Sequence, residues 1–501
     1  MNHLINQLIQ FSLDHHFIQE EDIDYSVNLL LDLFHIDSFE KETIYDKTID
    51  VTKILDPMLE YAIENKIIED QLTQRDLFDT RIMNCVMPRP SEIIKIFEKQ
   101  YQVNPIRATE YFYQLSIASN YIRKSRTDKN IVWKTLVEYG NIEISINLSK
   151  PEKDPKEIAL ARTMKSSGYP KCLLCKENVG FAGDYNRAAR QTHRIIPVKL
   201  SQGNYYLQYS PYVYYNEHCI IFNEEHIPMV INRTTFENLF SFIDKFPHYM
   251  LGSNADLPIV GGSILTHDHY QGGCYEFPIQ GARVIKTIKC EQYPRVTVEI
   301  VKWPLSTIRL TSSSKDDLIE LSDHFLNQWI DYSDPSLDII SRTDGIRHNT
   351  ITPIARMSQG KYQIDLVLRN NRTSEQYPDG IFHPHQENHH IKKENIGLIE
   401  VMGLAILPPR LKTELELLQD CLLDNKNILD YPELEKHIPW YQDILKTYQV
   451  NKDNVELILK EEVSKIFVNV LENAGVYKQN IEGIEGFVGF VETTLKHLKG
   501  A

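Results

Sequence analysis

No stretch of the 501-residue chain is long and apolar enough to cross a bilayer. The longest, Ile396 to Leu407, is twelve residues and carries Glu400. Cysteine is scarce and odd in number, seven in all, which fits a reduced cytosol and excludes a disulfide framework. Positive charge is in deficit, 54 basic against 69 acidic side chains for a net −15, so neither nucleic acid nor a polybasic membrane surface is the expected partner. The opening MNHLINQLIQFSLDHH has no basic segment and no cleavage site, so it does not read as a secretory signal. Internal repeats and low-complexity tracts are also missing. These absences leave a soluble, cytoplasmic, multi-part protein, long enough to bury a large core.

What is present divides the chain in three. Residues 1 to 135 read as helical, with Leu4, Ile5, Leu8, Ile9 and Leu13, then Val27, Leu30, Leu31 and Phe34, at helical spacing. The prolines of MPRPSEIIKIF break one helix, with Ser91 as the expected cap of the next. Residues 136 to 407 form an α+β core. LVEYGNIEISINLS alternates as a half-buried strand, Pro151 to Pro155 is a charged link, and YYLQYSPYVYYN, HCIIFN, VTVEIVKWP and YQIDLVL are further strand candidates. Residues 408 to 501, beyond Pro408 and Pro409, return to helical patterning and form a helical tail. That tail is a candidate surface for a homodimer.

Twelve of the 18 histidines fall between His193 and His390. Imidazole is the usual metal ligand and the base of physiological pH, so this concentration points to a site. The strongest segment is IVGGSILTHDHYQGGCYEF. His267, His269 and Gln271 alternate and would project from one face of a strand. Gly261, Gly262, Gly272 and Gly273 frame them, where a ligand or another backbone can come close. A neutral imidazole attacks phosphorus well and forms a phosphoramidate that stays reactive. Gln271 can donate to a phosphoryl oxygen without adding a titrating group. In YPKCLLCKENVG, Cys172 and Cys175 have the chelating C-x-x-C spacing for zinc, with redox use as the rival reading and His218 and His267 as candidate partners.

Two further features suit a phosphorylated ligand. From Tyr185 to Asn216 there is no acid in 32 residues, whereas Arg187, Arg190, His193, Arg194 and Lys199 lie there. In GIFHPHQENHHIKKENIGLIEVMG, His383 and His385 alternate, followed by His389, His390, Lys392 and Lys393. With His348 they make a candidate second metal or sugar-phosphate site. HPHQ lacks a glycine frame and ranks below His267 to Gln271 as the nucleophile.

GGSILTHDHYQGG, NEHCIIFNEEHIPM and HHIKKENIGLIEVMGLAILPPRL resemble the second, bacterial type of galactose-1-phosphate uridylyltransferase, a branch of the histidine-triad superfamily. The resemblance runs from about residue 80 to residue 480. It implies a histidine-triad-like antiparallel-sheet core. It also implies an exchange of UDP-glucose and galactose 1-phosphate for UDP-galactose and glucose 1-phosphate, a step of galactose metabolism. His269 matches the uridylylated nucleophile and Gln271 the glutamine that binds the transferred phosphoryl. Cys172, Cys175, His218 and His267 match the ligands of a structural zinc. His383 and His385, with His348 more loosely, resemble a second metal site. Glu400 resembles a sugar-contacting glutamate, and the accompanying lysine is Lys392 or Lys393. Aspartate, Asp268, stands where the common family has proline. Competing readings are another histidine-dependent nucleotidyltransferase or dinucleotide phosphorylase, and a zinc-braced UDP-sugar-binding protein without turnover.

Overall fold

The computed structural model describes residues 1–46, 49–149, 168–424 and 426–498, and the charged link expected at Pro151 to Pro155 lies outside them. Seven helices come first: α1 (Asn2–Asp14), α2 (Ile23–Phe34), α3 (Val51–Glu64), α4 (Leu72–Asn84), α5 (Pro90–Val103), α6 (Pro105–Ala118) and α7 (Lys124–Thr127). Helix α5 begins one residue before the expected cap. Pro90, whose missing N–H costs nothing in the first turn, is its first residue, and the Glu92 carboxylate accepts from the Arg89 amide at 2.9 Å. Ser91 is therefore inside the helix. Asn104 caps α6 in the expected manner, accepting from the Ile106 amide at 2.8 Å.

The segment read as one alternating strand is a hairpin. Strand β1 (Ile131–Val137) turns at Glu138 and Tyr139 into β2 (Gly140–Ile146), with Gly140 at φ 107°. Only glycine adopts that angle without strain. The two strands pair antiparallel, and β15 (Leu404–Leu407) joins β2 in parallel.

The main sheet has ten strands: β3 (Ile196–Lys199), β4 (Asn204–Tyr209), β5 (Cys219–Asn223), β6 (Met250–Gly252), β7 (His269–Gly273), β8 (Val284–Lys289), β9 (Thr297–Val301), β10 (Thr307–Ser312), β13 (Asn349–Ser358) and β14 (Lys361–Asn370). A two-residue hairpin, β11 (Arg342–Thr343) and β12 (Ile346–Arg347), stands apart. The order is β3-β4-β5-β7-β6-β13-β14-β10-β9-β8, antiparallel at every pairing among the described residues. Of YYLQYSPYVYYN only the first part is strand; the rest leaves the sheet as a loop. The observed class is thus the expected α+β, with helices before, within and after an antiparallel sheet.

Helices α8 (Arg233–Lys245), α9 (Lys315–Ile330) and the final α14 (Ile481–His497) share a core with α1 to α6 and one sheet face, where Leu251, Tyr270, Leu366 and Leu368 point. Met250, Ile354 and Val367 point the other way, as the two-residue period requires. They meet α10 (Leu398–Val401), α11 (Arg410–Asp424), α12 (Ile438–Thr447), α13 (Val455–Ala474) and the three-stranded sheet. Tyr270 lies in the first core, so His269 and Gln271 face the second layer.

Candidate functional site

Strand β7 begins at His269, so His267 precedes it instead of lying on it. The His269 ring is 5% exposed, and Nδ1 lies 2.8 Å from the His267 carbonyl oxygen. A carbonyl only accepts, so the proton is on Nδ1 and the Nε2 lone pair is free. Among the described residues Nε2 has no hydrogen-bond partner, yet it is not among the unpartnered side-chain atoms sealed from solvent. Burial lowers the His269 pKa and keeps the ring neutral, outweighing the His267 carbonyl and Asp268, which favour the charged form.

Asp268 points away from both histidines. Its Oδ2 accepts from Tyr205 Oη at 2.7 Å and Asn223 Nδ2 at 3.3 Å, and its amide donates to the Ile227 carbonyl at 2.7 Å. The carboxylate that replaces proline ties this turn to β4 and β5 by bonds that proline could not make. Gly272 and Gly261 serve close backbone packing: a Cβ at Gly272 would lie 2.6 Å from the Met250 carbonyl, and one at Gly261 2.5 Å from that of Ala255.

Cys172, Cys175, His226 and His267 converge with all ligand atoms within 4.8 Å of one another, and no other group of this kind occurs among the described residues. The sulfurs are 3.6 Å apart, Cys172 Sγ is 3.2 Å from His267 Nδ1, and Cys175 Sγ is 3.2 Å from His226 Nδ1. A tetrahedral zinc site needs about 3.8 Å between sulfurs and about 3.5 Å between sulfur and nitrogen, so the donor set fits. His267 Nε2 donates to the Asn223 carbonyl at 2.9 Å, which turns the Nδ1 lone pair toward the thiols.

The expected ligand His218 is not in this group. It lies before β5, whereas His226 lies beyond the strand's other end, and His218 Nε2 is 3.1 Å from Gln271 Oε1. His226 stands eight residues on in the same quoted segment, and only the fold shows that it, not His218, reaches the cysteines. The expected second metal site does not assemble either. His348 Nδ1 bonds Asn371 Oδ1 at 2.9 Å and His383 Nε2 bonds Asn395 Oδ1 at 3.1 Å. His385 Nε2 bonds the Ile381 carbonyl at 3.1 Å, under the Tyr377 ring. Each ring is spent on a separate local contact.

A cavity of about 1010 Å³ opens between the N-terminal helices, the basic loop and the α10 to β15 segment. Lys392 and Glu400 line it, with Nζ 3.0 Å from Oε1, whereas Lys393 is exposed and outside it. Lys392 is 4% exposed; burial favours its neutral form, but the Glu400 and Glu394 carboxylates outweigh this and raise its pKa. Asn254 Oδ1 accepts from the Leu398 amide at 2.9 Å, and Gly252, the partner of Gln271 across β6 and β7, packs on Leu398. The Glu400 helix therefore lies on the same sheet face as Gln271.

The three arginines differ. Arg190 lines the cavity, 7% exposed, with Nη1 donating to Tyr121 Oη at 2.9 Å and Nε buried without a partner among the described residues. Arg187 also lines it but is held by Asp184 and stacked on Phe181. Arg194 turns inward to the Pro88, Gln191 and His193 carbonyls and is structural. The N-terminal region, read from sequence only as helical, forms a wall of the cavity through Thr73, Asp76, Leu77 and Thr80 of α4. Arg126 holds Asp76 bidentately at 2.5 and 3.0 Å. Sequence offered no local signal for this long-range contact.

A pinned neutral imidazole on the strand that carries Gln271, next to a Cys/His cluster, has the chemistry suited to group transfer through histidine. The chain belongs to the galactose-1-phosphate uridyl transferase family. Residues 17–228 match its N-terminal domain and residues 242–437 its C-terminal domain. The galactose-1-phosphate uridylyltransferase of Clostridium acetobutylicum is 57% identical, covering 98% of this chain and 99% of its own. That of Bacillus subtilis is 47% identical over 97% of this chain and 96% of its own. Among the described residues no helix is long and apolar enough to cross a membrane.

Proposed function

We propose that this chain transfers the uridylyl group of UDP-glucose to galactose 1-phosphate, with His269 as the carrier. The observation that carries the reading is the His269 tautomer: Nδ1–H is committed to the His267 carbonyl and Nε2 is left open. Nε2 attacks the α-phosphorus of UDP-glucose. A nitrogen–phosphorus bond forms, the bond to the bridging oxygen breaks, and glucose 1-phosphate leaves with the electron pair. Because Nδ1 keeps its proton, the adduct stays an imidazolium and a good leaving group. A phosphate oxygen of galactose 1-phosphate then attacks phosphorus, giving UDP-galactose and restoring the neutral ring. The leaving group is a weakly basic phosphate, so no strong general acid is needed.

Gln271 donates its amide hydrogens to the phosphoryl oxygens, and Arg190, with no carboxylate partner among the described residues, anchors substrate phosphate in the cavity. Lys392 and Glu400 face the hexose. Cys172, Cys175, His226 and His267 hold zinc. Four protein donors would leave no open position, so such an ion would be structural and would hold in place His267, whose carbonyl pins His269.

Intact mass after brief exposure to UDP-glucose, beside a His269→Gly control, tests this. A uridylyl increment on the wild type alone, erased by galactose 1-phosphate, is expected. An increment erased only by inorganic phosphate would make the chain a phosphorylase. Tight UDP-glucose binding with no increment would make it a binding protein.

A further inference from the structure

We propose that His218 is a positioning residue that fixes the carboxamide of Gln271 with its amide hydrogens toward the transferred phosphoryl group, an inference that rests on the role given to Gln271 above. His218 is 2% exposed and immediately precedes β5, which pairs with β7. Its ring lies 4.6 Å from that of Tyr215 and 5.4 Å from that of Tyr214, and Tyr215 Oη donates to the Gly272 carbonyl at 3.0 Å. Packed at a tilt between these two rings, the imidazole is held in place next to the strand that carries Gln271.

Its protonation follows from its surroundings. Burial pushes the His218 pKa down to about 4, so at neutral pH the ring carries a single N–H. Among the described residues Nδ1 is sealed from solvent and has no partner, whereas Nε2 lies 3.1 Å from Gln271 Oε1. A stranded N–H at Nδ1 would be costlier than a stranded lone pair, so the proton sits on Nε2 and is donated to the carboxamide oxygen. The free end of Gln271 is then the NH2 group, two donors and no acceptor, which is what an anionic phosphoryl oxygen requires. Without His218 the carboxamide can rotate by half a turn and present its oxygen to the phosphoryl, a repulsive contact. His218 neither touches substrate nor exchanges a proton.

The test is rapid-quench measurement of uridylyl-enzyme formation from UDP-glucose, with metal content measured alongside. His218→Leu is expected to slow formation by about tenfold to a hundredfold, the scale on which a supporting hydrogen bond usually acts, with zinc content and UDP-glucose affinity unchanged. His218→Gln, which restores a side-chain N–H donor, recovers most of the rate. His218→Leu combined with Gln271→Ala is no slower than Gln271→Ala alone, because both remove one function. If His218→Leu fails to fold, His218→Phe keeps an aromatic ring against Tyr215 and reads the same quantity. Wild-type rate in His218→Leu, additive losses in the double variant, or zinc lost with His218 would each overturn the positioning role. Wild-type rate in Gln271→Ala would instead sink the role of Gln271, and the inference with it.

Discussion

Replacing His226 with alanine removes one of four metal donors, whereas replacing His218 leaves the set whole. The pair of substitutions therefore separates the cluster that the fold assembles from the one that the motif resemblance implies. His226 Nδ1 lies 3.2 Å from Cys175 Sγ, and His218 Nε2 lies 3.1 Å from Gln271 Oε1. His226 is only half-buried, so its loss costs little packing. Closed Cys/His zinc sites have about 10–16 kcal/mol of apparent binding free energy at neutral pH, so one donor of four accounts for about 3 kcal/mol. That is about a hundredfold in affinity. Competition against a chromophoric chelator, with metal content by mass spectrometry, measures it directly. His226→Ala is expected to yield its zinc at about one-hundredth of the chelator strength that the wild type and His218→Ala need. Uridylylation should slow with it, because a freed His267 no longer fixes the carbonyl that holds His269 Nδ1. A His226→Ala protein that keeps its zinc, beside a His218→Ala protein that loses it, would refute the reasoning.

Three other outcomes follow from the same contacts. In the proposed mechanism neutral His269 is the reactive form, and burial lowers its pKa, so the acid limb of single-turnover uridylylation should fall below the ordinary imidazole value of 6.5; a limb at or above 6.5 would count against it. Arg190→Met should raise the KM for UDP-glucose about tenfold or more while leaving thermal stability within a few degrees, since a desolvated phosphate contact is lost; equal kinetics would remove Arg190 from the site. Glu414, held by Arg410 at 2.6 Å, Lys436 at 2.5 Å and His437 at 3.0 Å, has its pKa lowered to about 2 from 4.5 despite its burial. Its stabilisation is present above pH 4.5 and fades as pH falls toward 2, so the stability gap between wild type and Glu414→Gln in urea titrations should narrow over that window.

The periodic features of the fold were legible in the sequence. The strands HCIIFN and YQIDLVL and the helical ends follow from local alternation and spacing. The hairpin at Gly140 was not, because alternation continues unbroken through a two-residue turn. The Pro90 start of α5 shows the same limit at one residue: proline and serine both favour a first turn, and only the Glu92 contact decides between them. For the Cys/His cluster, residue types and spacing were enough to bring Cys172, Cys175 and His267 together. The choice between His218 and His226 was not, since a five-residue strand separates them by about 16 Å and sequence does not say which end meets the cysteines. Lys392 over Lys393 is likewise a matter of which side of the chain faces the cavity. The α4 wall is wholly a product of tertiary packing.

The placement of α14 has a consequence for how the protein is made. Helices α11 to α13 cover one face of the sheet, but α14 returns to the other, where Phe490 meets Trp329 at 5.2 Å and Phe487 meets Tyr477 at 5.0 Å. During synthesis every strand of that sheet leaves the ribosome before the helix that shields Phe325 and Trp329. A nascent chain therefore leaves Phe325 and Trp329 without this cover for as long as it takes to translate residues 371 to 497, about six to twenty-five seconds at ordinary elongation rates. Holdase chaperones have that interval in which to bind, and slow codons within it would lengthen the exposure without changing a single residue.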